Sequence, residues 1–74
     1  MMTLDRVKRG QSMTIISIPD ALVRAQAIRF GIAEGETVFC EEVVPSGPII
    51  ISKNRQEIAL GRGLARQIAV DLNR

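Results

Sequence analysis

Thr37-Val38-Phe39-Cys40-Glu41-Glu42-Val43-Val44, followed by Pro45-Ser46-Gly47-Pro48 and then Ile49-Ile50-Ile51, is the stretch that decides the fold. β-branched and aromatic residues fill both runs, and between them stand residues that reverse a chain sharply, so the reading is two strands joined by a tight hairpin. Neither face of the first run is purely apolar. Val38, Cys40, Glu42 and Val44 share one side, with Phe39, Glu41 and Val43 on the other. That mixture predicts a strand that bends or bulges midway, each half burying a different side. The unbroken Ile49-Ile50-Ile51 run predicts either burial on both sides or an apolar edge, and an apolar edge leaves self-association open.

Upstream, Gly31-Ile32-Ala33-Glu34-Gly35-Glu36 makes the entry turn, and a helix is expected over about residues 20–30. Asp20 is placed to cap its first turn and Gly31 to end it in the left-handed region. Two apolar lines run along this helix. Ala21, Ala25, Ile28 and Ile32 form the line expected to face inward, and Val23, Ala27 and Phe30 form a second beside it; Arg24, Gln26 and Arg29 point away. The stripe is wide enough to touch a partner as well as a core. Ser12 to Ile18 reads as the first strand, ended by Pro19, which has no N–H to give a ladder. Before it, Met1 to Gln11 reads as a lead-in that lays Leu4 and Val7 on the core.

Downstream, Lys53-Asn54-Arg55-Gln56 is a hairpin turn, Glu57 to Leu60 a short strand, Gly61 to Arg66 a single helical turn, and Gln67 to Leu72 a closing strand. A helical turn between the last strands is typical of SH3-like barrels. The expected fold is therefore mainly β: a small SH3-like barrel of five to six short strands with one short helix and a helical turn near 61–66, in one domain over residues 1–74.

Composition narrows the function. Hydrophobic residues make up 46% of the chain and aromatics only 3%, Phe30 and Phe39, so Ile, Val, Leu and Ala must build the core. Ten Lys and Arg against eight Asp and Glu leave +2, with the signs interspersed, which does not demand an anionic partner. Arg6, Lys8 and Arg9 beside Asp5 read as a solvated loop. No apolar run has the length of a membrane span or the flanks of a signal peptide, and a lone Cys40 closes no internal disulfide, so the expectation is a cytoplasmic chain with no direct membrane insertion.

Catalytic chemistry is hard to find. The chain has no histidine, and Cys40 lies mid-strand with no base beside it, so it reads as a small buried hydrophobe rather than a nucleophile. Glu41 and Glu42 leave opposite faces of a strand, and Glu34 with Glu36 has no third acid nearby, so no metal site is expected. Gly61-Arg62-Gly63 lacks the preceding strand, long helix and Lys-Ser/Thr pair of a phosphate loop. Phe30 and Phe39 are expected on buried faces, which removes the stacking platform of a nucleic-acid-binding barrel and the groove of an SH3 peptide binder. The chain is read as a non-enzyme, without cofactors or a nucleic-acid partner.

With this spacing in view, the chain resembles the FeoA family, small SH3-like proteins of bacterial ferrous iron transport, over nearly its whole length. Leu4 through Gly10 is similar to that family's opening Leu and Gly. Ile28, Phe30, Gly31, Ile32 and Gly35 fall where the family places a helix end followed by Leu-Gly-Leu and Pro-Gly. Pro45-x-Gly47 with Pro48-Ile49 resembles its Pro-x-Gly-Asp-Pro-Ile hairpin, and Ile58-Ala59-Leu60, Ala65, Ile68 and Val70 resemble its closing segment. The chain departs from that pattern in three places: the hairpin has no acid between Gly47 and Pro48, Glu34 stands where a proline is common, and Gly61 and Gly63 replace charged residues.

The resemblance implies an accessory protein that binds and modulates FeoB, the membrane permease with a cytoplasmic GTP-binding domain, by contact rather than by chemistry. The expected contact residues are Arg24, Arg29, Phe30 and Ile32 on the helix flank with Pro45, Ser46 and Pro48 on the hairpin. Two other readings stay open. One is a regulatory domain akin to the SH3-like C-terminal domain of metal-dependent repressors, and the other is a small nucleic-acid-binding barrel.

Overall fold

In a computed structural model describing residues 1–73, the chain pairs six strands into one antiparallel sheet: β1 (Met2–Thr3), β2 (Ser12–Ser17), β3 (Thr37–Val43), β4 (Ile49–Lys53), β5 (Gln56–Leu60) and β6 (Ala69–Leu72). Their spatial order is β1-β6-β2-β3-β4-β5. Helix α1 (Ala21–Arg29) connects β2 to β3, a single turn α2 (Arg62–Ala65) connects β5 to β6, and a 3-10 turn spans Leu4–Arg6. This is the mainly β, SH3-like architecture that the hairpins and the late helical turn predict. Arg74, the last residue of the expected domain, lies outside the described residues.

The strand that decides the fold behaves as its mixed pattern requires. β3 pairs Cys40 with Ile51 but Glu42 with Ile50, so a residue is inserted between them. Before the bulge Val38 and Cys40 face the core; after it Val43 packs there instead. The bulge changes which side is buried. Ile16 faces outward by alternation with the buried Ile15, and a second register shift, between Ile15 and Ser17 where β2 meets β6, lets Ile18 rejoin the core beyond the strand end.

Ile49 and Ile51 are fully buried and Ile50 is half-buried. Because β4 lies between β3 and β5, the triple-isoleucine run is interior to the sheet, and the edges are β1 and β5. Leu4 and Val7 are buried, as the lead-in predicts, with the Leu4 N–H bonded to the Ile68 carbonyl at 2.9 Å.

Helix α1 is capped at both ends by local chemistry. The Asp20 carboxylate accepts the N–H groups of Leu22 (2.9 Å) and Val23 (3.1 Å). At the other end Gly31 has φ +76, its N–H meets the Ile28 carbonyl at 2.9 Å, and the Ile32 N–H reaches back to Ala27 at 3.0 Å. This is a Schellman closure, with Ile32 and Ala27, both fully buried, as its apolar contact.

Which helix line faces inward differs from the sequence expectation. Val23 and Ala27 are buried, while Ala21, Ala25 and Ile28 are exposed, and only Ile32, beyond the helix, rejoins the core. Phe30 and Phe39, expected on buried faces, are 45% and 39% exposed. For Phe39 the cause is strand alternation: Val38 and Cys40 take the inner positions, so the residue between them must face out. For the helix, the Schellman closure buries Ala27 and Ile32 and leaves Phe30, the C-cap residue between them, at the rim.

Candidate partner-docking surface

α1 presents the largest exposed apolar side chains of its neighbourhood: Leu22 is 78% exposed, Ile28 62% and Phe30 45%. Ile28 lies on the apolar line that the barrel leaves uncovered, Phe30 stands at the C-cap just beyond the buried Val23 and Ala27, and Leu22 lies in the first turn outside both lines. Arg29 is exposed beside them, in the last turn, where a cation complements the helix dipole. Arg24 is engaged: its Nη1 donates to the carbonyls of Ile18 (2.8 Å) and Pro19 (3.1 Å), holding the end of β2 against the helix. Ile32 is fully buried beneath a shallow cleft bordered by Arg24, Ile28 and Glu34, so its role is core packing rather than direct contact.

The Pro45–Pro48 hairpin is a second surface. Pro45 and Ser46 are exposed and Pro48 half-buried. The Gly47 N–H closes on the Val44 carbonyl at 2.9 Å, with Ser46 at φ +54 in the left-handed region between them. Gly47 is required by space: a Cβ there would lie 2.8 Å from Val44 Cγ1, a stiff β-branched side chain. Arg62 Nη2 donates to the same Val44 carbonyl at 2.9 Å, while its buried Nε has no partner among the described residues. Arg62 and Arg66, four apart on the helical turn, line a notch with Ser46, Gly47 and Pro48, and no acidic side chain lines it. The signal for this arginine pair in the sequence is its i, i+4 spacing across the helical turn expected over Gly61 to Arg66, which the composition of Gly61-Arg62-Gly63 does not reveal.

The structure therefore places the expected contact residues on two surfaces. The helix end lies by the far end of β4, where Lys53 Nζ donates to the Gly31 carbonyl at 2.6 Å and pairs with Glu36 at 3.1 Å. The proline hairpin lies at the opposite end of the same strand, next to Ile49. Arg24, Arg29 and Phe30 are grouped; Pro45, Ser46 and Pro48 are grouped apart from them.

Among the described residues no group of three or more His, Cys, Asp or Glu side chains converges to hold a metal, and no helix is long and apolar enough to cross a membrane. Cys40 is fully buried. Burial pushes its thiol above the ordinary range; a weak contact from Sγ to the Glu42 carbonyl at 3.9 Å opposes this, and the nearby Glu41 carboxylate adds to the rise. That environment disfavours the thiolate a nucleophile or ligand needs.

Fold and surface together define a small SH3-like β domain whose exposed features are suited to contact. The chain belongs to the FeoA family: the FeoA domain model matches residues 2–72. Among solved structures it is similar to the iron uptake regulatory protein FeoA, at 29% identity and TM-score 0.89 with 97% of each chain covered. It is also similar to a FeoA protein from Chlorobium tepidum, at 25% identity and TM-score 0.80 over 96% of this chain and 70% of that one. ScaR, in a structure with bound Zn2+, shares the fold at 22% identity and TM-score 0.87, this chain matching 36% of its length. No curated protein matches.

Proposed function

We propose that this chain is a non-enzymatic accessory protein of bacterial ferrous iron uptake that acts in the cytoplasm by docking on a FeoB-type permease. The observation that carries the reading is the unpartnered apolar C-terminal end of α1, Ile28 and Phe30 with Arg29 between them, on a chain of the FeoA family. A module of this kind works by binding one state of a larger protein more tightly than another, and a coupling of ~1 to 3 kcal/mol changes the balance of states several-fold or more. The exposure of Phe30 and Phe39 removes one argument against nucleic-acid binding; what still disfavours it is a net charge of only +2 with the signs interspersed.

The test is an NMR titration of the labelled chain with the isolated cytoplasmic GTP-binding domain of a FeoB-type transporter, with and without nucleotide. Shifts centred on residues 22–30 support the reading and report whether docking senses nucleotide. Absence of shifts at high concentration removes that domain as the partner and favours the regulatory-domain reading, to which the shared fold with part of ScaR lends its support.

A further inference from the structure

Among the described residues β5 pairs with β4 alone and forms one edge of the sheet. The two-residue turn Asn54-Arg55 makes Lys53 and Gln56 a hydrogen-bonded pair, and antiparallel alternation then gives Ile58 and Leu60 the remaining bonds to β4. The N–H and C=O of Glu57 and Ala59 consequently face outward, and they have no partner among the described residues. Sheet edges are ordinarily blunted by charged side chains, lysine above all, by proline, by a bulge or by a covering element. Gln56-Glu57-Ile58-Ala59-Leu60 carries a single charge, Glu57, and no lysine or proline, and its five pairings with β4 run without a register shift. The end of α1 stops short of covering it: Ile28, Arg29, Phe30 and Gly31 face Gln56, Glu57 and Ile58 across an open groove.

We propose that β5 is a self-pairing edge, on which a second copy of this chain lays its own β5 antiparallel about a two-fold axis at Ile58. The occupant is named by self-complementarity. A register centred on Ile58 sets Glu57 opposite Ala59 of the second copy and the reverse, so the outward backbone groups exchange four hydrogen bonds and no carboxylate meets its own image. At the centre the half-buried Ile58, already packed on the core, meets its symmetry mate as a non-hydrogen-bonded pair, the closer of the two antiparallel pair types. Ile28 and Phe30 supply an apolar flank to the groove that receives the strand. Arg29 and Phe30 belong both to this groove and to the proposed docking face, so a second copy and a transporter domain exclude one another there.

The experiment needs no transporter, so its failure is separate from that of the docking reading. Sedimentation and amide exchange are followed on the whole chain from micromolar to millimolar concentration. The expected result is a monomer–dimer equilibrium in which the Glu57 and Ala59 amides gain protection as dimer forms. Ala59 is exposed and its N–H faces away from β4, so Ala59→Pro removes a donor the fold does not use. It should raise the dimer dissociation constant more than about tenfold. Ala59→Glu, which is free of any backbone constraint, places like charges opposite Glu57 and should weaken pairing, whereas Ala59→Lys places opposite charges there and should not. A chain that stays monomeric at millimolar concentration overturns the proposal. So does a dimer in which the Glu57 and Ala59 amides exchange as fast as in the monomer, which would put the interface elsewhere on the chain.

Discussion

Glu34 and Ile18 are joined by a hydrogen bond of 2.8 Å, in which a carboxylate oxygen accepts the backbone N–H at the point where β2 leaves the sheet. The carbonyl of the same residue accepts from Arg24 Nη1, also at 2.8 Å. Ile18 is almost wholly buried, so both of its backbone groups need partners that no neighbouring strand supplies there. Two charged side chains, one from α1 and one from the turn after it, take the place of a ladder. A proline at position 34 could not accept this bond. Glu34→Ala should destabilise the domain by about 1 kcal/mol and Glu34→Gln by less, because the amide oxygen still accepts. Urea unfolding measures this, and an unchanged stability in Glu34→Ala would show that the bond contributes nothing.

The turn between β4 and β5 carries a local strain that can be relieved. Asn54 and Arg55 both have positive φ, 51° and 68°, as a two-residue hairpin of the twisted kind requires. Asparagine tolerates this region; arginine does so at a cost of about 1 kcal/mol. Arg55→Gly should stabilise the domain by about 0.5 kcal/mol after allowing for glycine's greater freedom when unfolded. A rise in the urea midpoint at unchanged slope is the expected result.

Cys40 is expected to be inert while the domain is folded. Its thiol is fully buried and its ionisation is pushed upward by that burial. Alkylating reagents should react at a rate set by unfolding, and modification should accelerate sharply in denaturant. The same shift has a sign in stability. A group whose pKa is raised on folding contributes fully below its unfolded value, about 8.5 for a thiol, and the contribution is lost as pH rises from there through the folded value. Stability should therefore fall with alkaline pH, and Cys40→Ala should flatten that fall. An identical slope in the variant would assign the loss to other groups.

Much of this fold is legible in the sequence because turn chemistry is local. Asp20, Gly31, the proline hairpin and Asn54-Arg55 each fix the chain within a few residues, and the mixed faces of Thr37 to Val44 announce the bulge before any partner strand is known. The helix face is not legible in the same way. Ala21, Ala25 and Ile28 make as good an apolar line as Val23 and Ala27, and the choice is made by tertiary groups: the Arg24 anchor on Ile18 and the Schellman contact of Ile32 with Ala27. The same holds for β4, whose place in the sheet interior depends on β5 covering it. The basic notch is assembled from Ser46 and Arg62, sixteen positions apart by numbering, and needed the fold to appear.

Separation of the expected contact residues into two surfaces makes the docking proposal sharper. The α1 end combines Ile28 and Phe30 with Arg29, whereas the hairpin notch offers two arginines and none of the large exposed aliphatic or aromatic side chains. Buried apolar and aromatic anchors contribute most of the energy of an interface, and charges at its rim mainly set encounter rate and salt dependence. On the docking reading, Ile28→Asp should weaken binding to the transporter domain by tenfold or more, about 1.4 kcal/mol. Arg29→Glu should also weaken it, through the same contact. Arg66→Glu should leave the dissociation constant nearly unchanged at moderate salt and alter only its salt dependence. Ile28 and Arg29 are both exposed, so neither change should unfold the domain, and far-ultraviolet circular dichroism of each variant checks this directly. Titration of the three variants under identical conditions decides between the surfaces: a large effect from Arg66→Glu with none from Ile28→Asp would move the docking site to the hairpin.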